Sequence, residues 1–205
     1  MTAPVKFRFD ADSHEYTALD TGEVLPHITG MLDRTGHVDD LWFTEESSER
    51  GTCVHKLTAD YDQEALDVET CISAHKGYLH AYIAAMSVLR PEILEVEVPI
   101  VHPLFRFGGR PDRIVRLFGM RGVLEIKSAQ PAKSHHIQTA LQAVLDAGRL
   151  NITPESLGRW CLYLKPNGRY KLDDHNRESF TKTRDFAEAR RVIRECCGVG
   201  ARCAV

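Results

Sequence analysis

No apolar run in the 205 residues approaches the roughly 18 needed to span a bilayer, and the opening MTAPVKFRFDADSHEY has none of the charged-then-apolar layout of a secretion signal. A cytoplasmic protein with no membrane role is expected. The six cysteines are scattered: Cys53, Cys71 and Cys161 stand alone and only Cys196, Cys197 and Cys203 lie near one another. That excludes a disulfide scaffold, and a reducing compartment would keep them as thiols. There is no Gly-rich phosphate loop between a strand and a helix and no Ser-centred nucleophile elbow, so nothing supports a nucleotide-cofactor enzyme or a serine hydrolase. Internal repeats and linkers are also missing. With 43% hydrophobic and 27% charged residues, the chain has the composition of one soluble globular domain.

The formal net charge of −3 conceals an asymmetry. Residues 1–100 carry 7 Lys and Arg against 19 Asp and Glu, whereas residues 101–205 carry 19 against 10. Between 104 and 135, Arg106, Arg110, Arg113, Arg116, Arg121, Lys127 and Lys133 face only Asp112 and Glu125. This basic stretch is where a polyanion is expected to bind.

Periodicity supplies the elements. Phe7 and Phe9 alternate with polar residues in a first short strand, and a second is expected near Tyr16 before a turn at Thr21-Gly22. Val54, Leu57 and Tyr61 suit a helix from Thr44 to about Asp62, and an amphipathic helix is predicted from about Glu69 to Leu89, ended by Pro91. Glu95–Val101 alternates as one strand, with Glu95 and Glu97 on one face. Arg110–Leu117 and Val123–Ser128 should form a hairpin. Ser134 is expected to cap a helix running to about Ala147, with Gly148 as its stop and Ile137, Leu141, Val144 and Leu145 as its apolar stripe. A second hairpin, Arg159–Lys165 with Arg169–Leu172, and a last helix over Asp185–Cys197 complete an α/β sandwich of mixed sheet with flanking helices.

The chemistry concentrates in two strings, Gly109-Arg110-Pro111-Asp112 and Leu124-Glu125-Ile126-Lys127. Strand period two puts both acids and the lysine on one sheet face. Register then decides what they can do. With Phe118-Gly119 as a two-residue turn, Asp112 lies opposite Glu125, Cβ atoms about 4.5–5.5 Å apart. With Gly119–Gly122 as the turn, the two acids are roughly 13 Å apart and cannot share a metal. Two carboxylates and the Ile126 carbonyl are hard oxygen ligands suited to Mg²⁺ or Mn²⁺, as one or two ions. Lys127 would orient water, stabilise hydroxide or balance charge in a phosphorane-like transition state; sequence leaves these three open.

Pro111-Asp112 followed by Glu125-x-Lys127 resembles the signature of the PD-(D/E)XK nucleases. Arg50-Gly51-Thr52-x-x-His55 upstream and Gln138-x-x-x-Gln142 downstream resemble flanking motifs of its RecB-like exonuclease branch, and the Pro26–Leu32 stretch is similar to bacteriophage and mitochondrial exonucleases of that branch. The resemblance covers roughly residues 14–143; Gln142 stands where that branch usually has Tyr, and His27 where Ser is common. It implies a restriction-endonuclease-like core over 44–205 behind an N-terminal β/helical extension at 1–43, forming a single nuclease domain. It implies catalytic roles for Asp112, Glu125 and Lys127, and a metal held by His55, Asp112, Glu125 and Ile126, the imidazole favouring Mn²⁺.

Gln138, Gln142, Arg110, Arg113, Ser128, Lys133 and His135 are the candidate substrate contacts. For Gln138 and Gln142 a solvated helix face is the alternative, and for His135 an ordinary helix cap. Glu97 is a minor candidate acid, which exposure alongside Glu95 explains equally well. Trp42, Phe43 and Trp160 are candidates for stacking on bases, with core packing the alternative. The spacing of Cys53 with the late cysteines departs from that of iron-sulfur relatives, and plain thiols are expected.

The implied activity is a metal-dependent DNA exonuclease of recombination, repair or phage DNA metabolism. The alternatives are a structure- or sequence-specific endonuclease of the same fold, or an inactive DNA-binding or assembly module. DNA is the expected partner, with a single-strand-annealing or recombination protein as a further one. Oligomeric state, polarity and strand preference are not readable.

Overall fold

The computed structural model describes residues 4–38, 44–68 and 74–198. Trp42, Phe43, Cys71 and Cys203 lie outside the described residues.

The chain opens with a three-stranded antiparallel sheet, β1 (Phe7–Asp10), β2 (Glu15–Ala18) and β3 (Val24–Leu25), leading into helix α1 (Ile28–Arg34). His27 caps α1 through its ring, which accepts from the Gly30 amide. Sequence periodicity gave no warning of this helix, because seven residues are too few to show it. Helix α2 (Glu45–Asp62) begins at a capping box in which Thr44 and Ser47 exchange side-chain and backbone hydrogen bonds. Helix α3 (Lys76–Leu89) starts later than its sequence pattern suggests: Ala74 and His75 are still in a turn. It ends at Arg90 in the left-handed region, just before Pro91.

The strand expected over Glu95–Val101 is broken. β4 (Glu92–Val96) stops at Glu97, whose φ of 49° no strand tolerates, and β5 (Ile100–Val101) leaves to pair with β6 (Gly108–Gly109). The hairpin follows as β7 (Arg113–Leu117) and β8 (Met120–Lys127). Helix α4 runs Lys133–Leu150 rather than stopping at Gly148, and ends on Asn151 in the left-handed conformation. Gly148 is there for clearance, since a Cβ would collide with the His102 ring. Nor does Ser134 cap α4. Ala132 occupies that position, and its amide donates to His135 Nδ1.

After a 3-10 turn at Pro154–Ser156 come β9 (Gly158–Leu164) and β10 (Tyr170–Asp174), and α5 spans Ser179–Cys197, starting six residues before the expected point. The main sheet has the order β10-β9-β8-β7-β4. It is mixed, since β8 and β9 are parallel, joined through α4, while the other neighbours are antiparallel.

Helices α2 and α3 cover one face. Val54, Tyr78, Tyr82, Leu124, Ile126, Trp160 and Leu162 form the core there. Trp160 is 2% exposed, which removes it as a base-stacking residue. On the other face the predicted α4 stripe of Ile137, Leu141, Val144 and Leu145 packs with Ile28, Met31 and Leu32 of α1 and with Phe186 and Ile193 of α5. The extension thus contributes to the central core through α1. Its small sheet sits on β6: Gly108 donates to the Pro26 carbonyl, and a Cβ at Gly108 would collide with the Tyr16 ring. The α/β class, the mixed sheet flanked by helices and the N-terminal β/helical extension are as expected.

Candidate active site

The turn between β7 and β8 is Phe118-Gly119, with Leu117 paired to Met120 and both turn residues at positive φ, 51° and 79°. Those are the dihedrals of a hairpin turn that follows strand twist. Arg113 pairs with Leu124, so Asp112 stands opposite Glu125 and the first of the two registers holds. Asp112 Oδ2 accepts from the Ile126 amide at 2.7 Å, which pins the carboxylate across the hairpin.

Three ligand atoms converge here. His55 of α2, Glu97 after β4 and Asp112 before β7 place one ligand atom each within 4.8 Å of one another. His55 Nδ1 lies 3.1 Å from Asp112 Oδ1. An octahedron with metal-ligand bonds of about 2.1 Å has edges of about 3.0 Å, so this separation suits adjacent ligands of one cation. Glu97 is brought in by its left-handed backbone: its amide donates to the Asp112 carbonyl at 3.0 Å, and its carboxylate lies 3.5 Å from Arg110. Glu95, expected to share its environment, pairs instead with Arg149 and Arg121.

Glu125 is 2% exposed and held from three sides. Oε1 accepts from Lys127 Nζ at 2.7 Å and from Gln138 Nε2 at 2.6 Å, and Oε2 accepts from Gln142 Nε2 at 2.6 Å. Gln138 and Gln142 therefore face the site, not solvent. These bonds take both lone pairs of Glu125 Oε1 and one of Oε2, so that Oε2 alone retains a free acceptor site. Gln142 Oε1 is buried with no partner among the described residues.

The electrostatics favour charged groups. Burial pushes the Asp112 carboxyl up, but His55, then Lys127 and the Ile126 amide, outweigh it and hold it below the usual carboxylate range. Asp112 in turn raises the His55 imidazole against the effect of burial. Burial pulls Lys127 down, and Glu125 and Asp112 more than restore it, so it stays an ammonium.

The remaining candidates scatter. Arg110 lies over the Phe9 ring and beside Glu97, linking the N-terminal sheet to the site. Ser128 follows the end of β8, partly exposed, and Lys133 is exposed on the first turn of α4. Arg113 does not face a substrate. It is fully buried on the α2–α3 side, paired with Asp62 and stacked over Tyr82, because the strand turns it away from Asp112. His135 Nδ1, which accepts from the Ala132 amide, also accepts from Tyr163 Oη at 3.0 Å, and burial, then Lys127 and His136, lower the imidazole to about 3, which favours the neutral ring. Tyr163, which sequence did not single out, pairs with Lys127 across β8 and β9.

The basic stretch 104–135 is largely neutralised. Arg106 is taken by Asp20 and Glu23, Arg116 by Glu92, and Arg121 by Asp146 and Glu95. No linear count could have shown this, since the partners are as many as 86 residues away.

Two solved exonuclease structures are similar to this chain. One is LHK-Exo in complex with dAMP, with 15% identity, a TM-score of 0.41 and coverage of 84% of this chain and 87% of that one. The other is the alkaline exonuclease LHK-Exo from Laribacter hongkongensis, with 16% identity, a TM-score of 0.36 and coverage of 82% and 89%. No family model and no curated protein matches the chain.

Proposed function

We propose that this chain is a divalent-metal-dependent deoxyribonuclease of the PD-(D/E)XK class, RecB-like branch, that digests DNA from an end. The observation that carries the reading is the convergence of His55, Glu97 and Asp112 beside the Glu125–Lys127 pair on one sheet face. Three anionic or imidazole donors around one point, with Asp112 kept ionised, fit Mg²⁺ or Mn²⁺, and the imidazole tilts the choice towards Mn²⁺. His55, Glu97 and Asp112 would hold the ion, with Glu125 and the Ile126 carbonyl completing the protein ligands. A bound ion supplies polarisation of the scissile phosphate and acidification of the attacking water.

The side chains do the rest. Lys127 holds its ammonium beside Glu125, where it orients water and balances charge developing on phosphorus. Gln138 and Gln142 fix the rotamer of Glu125, and Asp112 is fixed by the Ile126 amide. We assign Ser128, Lys133 and Arg110 to contacts with substrate phosphates.

The test is degradation of end-labelled linear DNA beside closed circular DNA, with Mg²⁺, Mn²⁺ or chelator, for the wild type and Lys127→Ala. Loss of linear DNA alone, dependent on metal and reduced by at least about 100-fold in Lys127→Ala, is the expected outcome. Cutting of the circle makes the enzyme an endonuclease of the same fold. Binding of both without cutting replaces catalysis by a DNA-binding module.

A further inference from the structure

We propose that the β9–β10 hairpin and the first turn of α4 form a cationic ledge that carries the phosphates of the DNA strand next to the cleaved bond. The proposal rests on the nuclease reading and adds the path of the substrate.

Register builds the ledge. Lys127 pairs with Tyr163 across the parallel β8–β9 ladder, and Tyr163 pairs with Lys171 across the antiparallel β9–β10 ladder. Tyr163 bonds to His135 of α4, so all three positions lie on the α4 side of the sheet. Two residues beyond Tyr163 and Lys171, and so on the same side by strand alternation, stand Lys165 and Arg169, joined by the Lys165 amide and the Arg169 carbonyl. Lys133 joins them from the first turn of α4.

At about 4.8 Å per strand and 3.3 Å per residue, the backbone positions of Lys165 and Arg169 lie on the order of 8 Å and 12 Å from that of Lys127. Lys133, Lys165 and Arg169 are exposed, and none has a carboxylate partner among the described residues. Lys171 pairs with Asp173. The cations of the 104–135 stretch are mostly consumed by acids, whereas these three remain available to phosphates at the lysine end of the site. Lysine on an edge strand has another use, blocking edge-to-edge association, and β10 is such an edge. The two roles give different results.

The experiment measures anisotropy of a labelled DNA duplex with Ca²⁺ present, over about 50 to 200 mM salt. It compares wild type with the triple variant Lys133→Gln, Lys165→Gln, Arg169→Gln. A control removes the same charge from exposed positions elsewhere, Lys6→Gln, Arg90→Gln, Arg194→Gln. Thermal melts establish that all three proteins are folded. The ledge variant is expected to bind at least about 10-fold more weakly, with the slope of log affinity against log salt shallower by about 2 to 3, while the control changes little.

An unchanged slope in the ledge variant overturns the proposal and leaves the nuclease reading standing; self-association of that variant would then assign the lysines to edge protection. Equal losses in ledge and control variants reduce the effect to net charge and also overturn it. If wild type neither binds nor cuts DNA, the nuclease reading fails and the ledge falls with it.

Discussion

Glu125 shows how a buried carboxylate is held still. Its side chain has three donors, Lys127, Gln138 and Gln142, and almost no exposure to water. Removing one partner leaves part of a buried charge uncompensated, which costs more than the hydrogen bond contributes. Gln142→Leu is therefore expected to destabilise the protein by about 1–3 kcal/mol, read from urea unfolding, although the residue lies in a helix. Glu97 sits at the opposite corner. Glu97→Gln keeps its shape and removes its charge, and is expected to weaken Mn²⁺ binding at least about 10-fold by calorimetry while the melting temperature stays close to wild type. An unchanged Mn²⁺ affinity would remove Glu97 from the metal site. The sequence places Glu97 in a strand beside Glu95, where it resembles an ordinary exposed acid. Only the left-handed backbone at that residue, which no propensity would suggest for glutamate, brings it to Asp112.

At the scale of elements, the β7–β8 turn sets the site. A two-residue turn with both residues at positive φ holds Asp112 opposite Glu125, and a slip would separate them. Gly119 has open space around its Cβ position but a φ of 79°. Gly119→Val is thus expected to cost about 1–3 kcal/mol through backbone strain alone. Nuclease activity measured well below the melting temperature should fall by more than the folded fraction does, because the register of the acids is disturbed; activity that tracks the folded fraction would show that the turn does not control the site. The elements that sequence located well are those with long apolar periodicity, α2, α4 and the two hairpins. Periodicity did not show α1, too short to have a period, although the resemblance implied a helical part in the extension, and it ran β4 and β5 together because alternation continues across Glu97. It stopped α4 at Gly148, where glycine serves the His102 ring rather than a helix end.

At the scale of the whole molecule, pH acts on stability from two sides. Burial lowers His102 to about 4, and burial with His136 and Arg159 lowers His175 to about 3. Folded His102 and His175 refuse protons that the unfolded chain accepts near its ordinary value of about 6.5, so stability is lost as pH falls through and below that value. His135, lowered to about 3, adds to them, and each such proton gives a slope on the order of 1.4 kcal/mol per pH unit. His55 acts in the opposite sense. Asp112 raises it, so the pair's contribution is full below about pH 6.5, provided Asp112 is ionised, and fades as pH rises through the raised value. Urea midpoints of the chelated protein are expected to peak near neutrality, with His55→Gln flattening only the alkaline limb. A midpoint that keeps rising with pH in chelator would contradict this assignment.

Local pattern was enough for the sandwich of helices and mixed strands and for the acids and lysine on one face, since alternation and helical period are properties of neighbouring residues. Alternation put Asp112, Glu125 and Lys127 on that face, whereas His55 and Gln138 were singled out through the resemblance of their flanking motifs. Charge pairing, burial and register depend on residues far apart in the chain. Folding turned Arg113 into a core ion pair with Asp62, spent most of the basic stretch on distant acids and recruited Glu97. A charge in a sequence is only a count; whether it meets solvent, a partner or a metal is set by which surfaces the fold brings together.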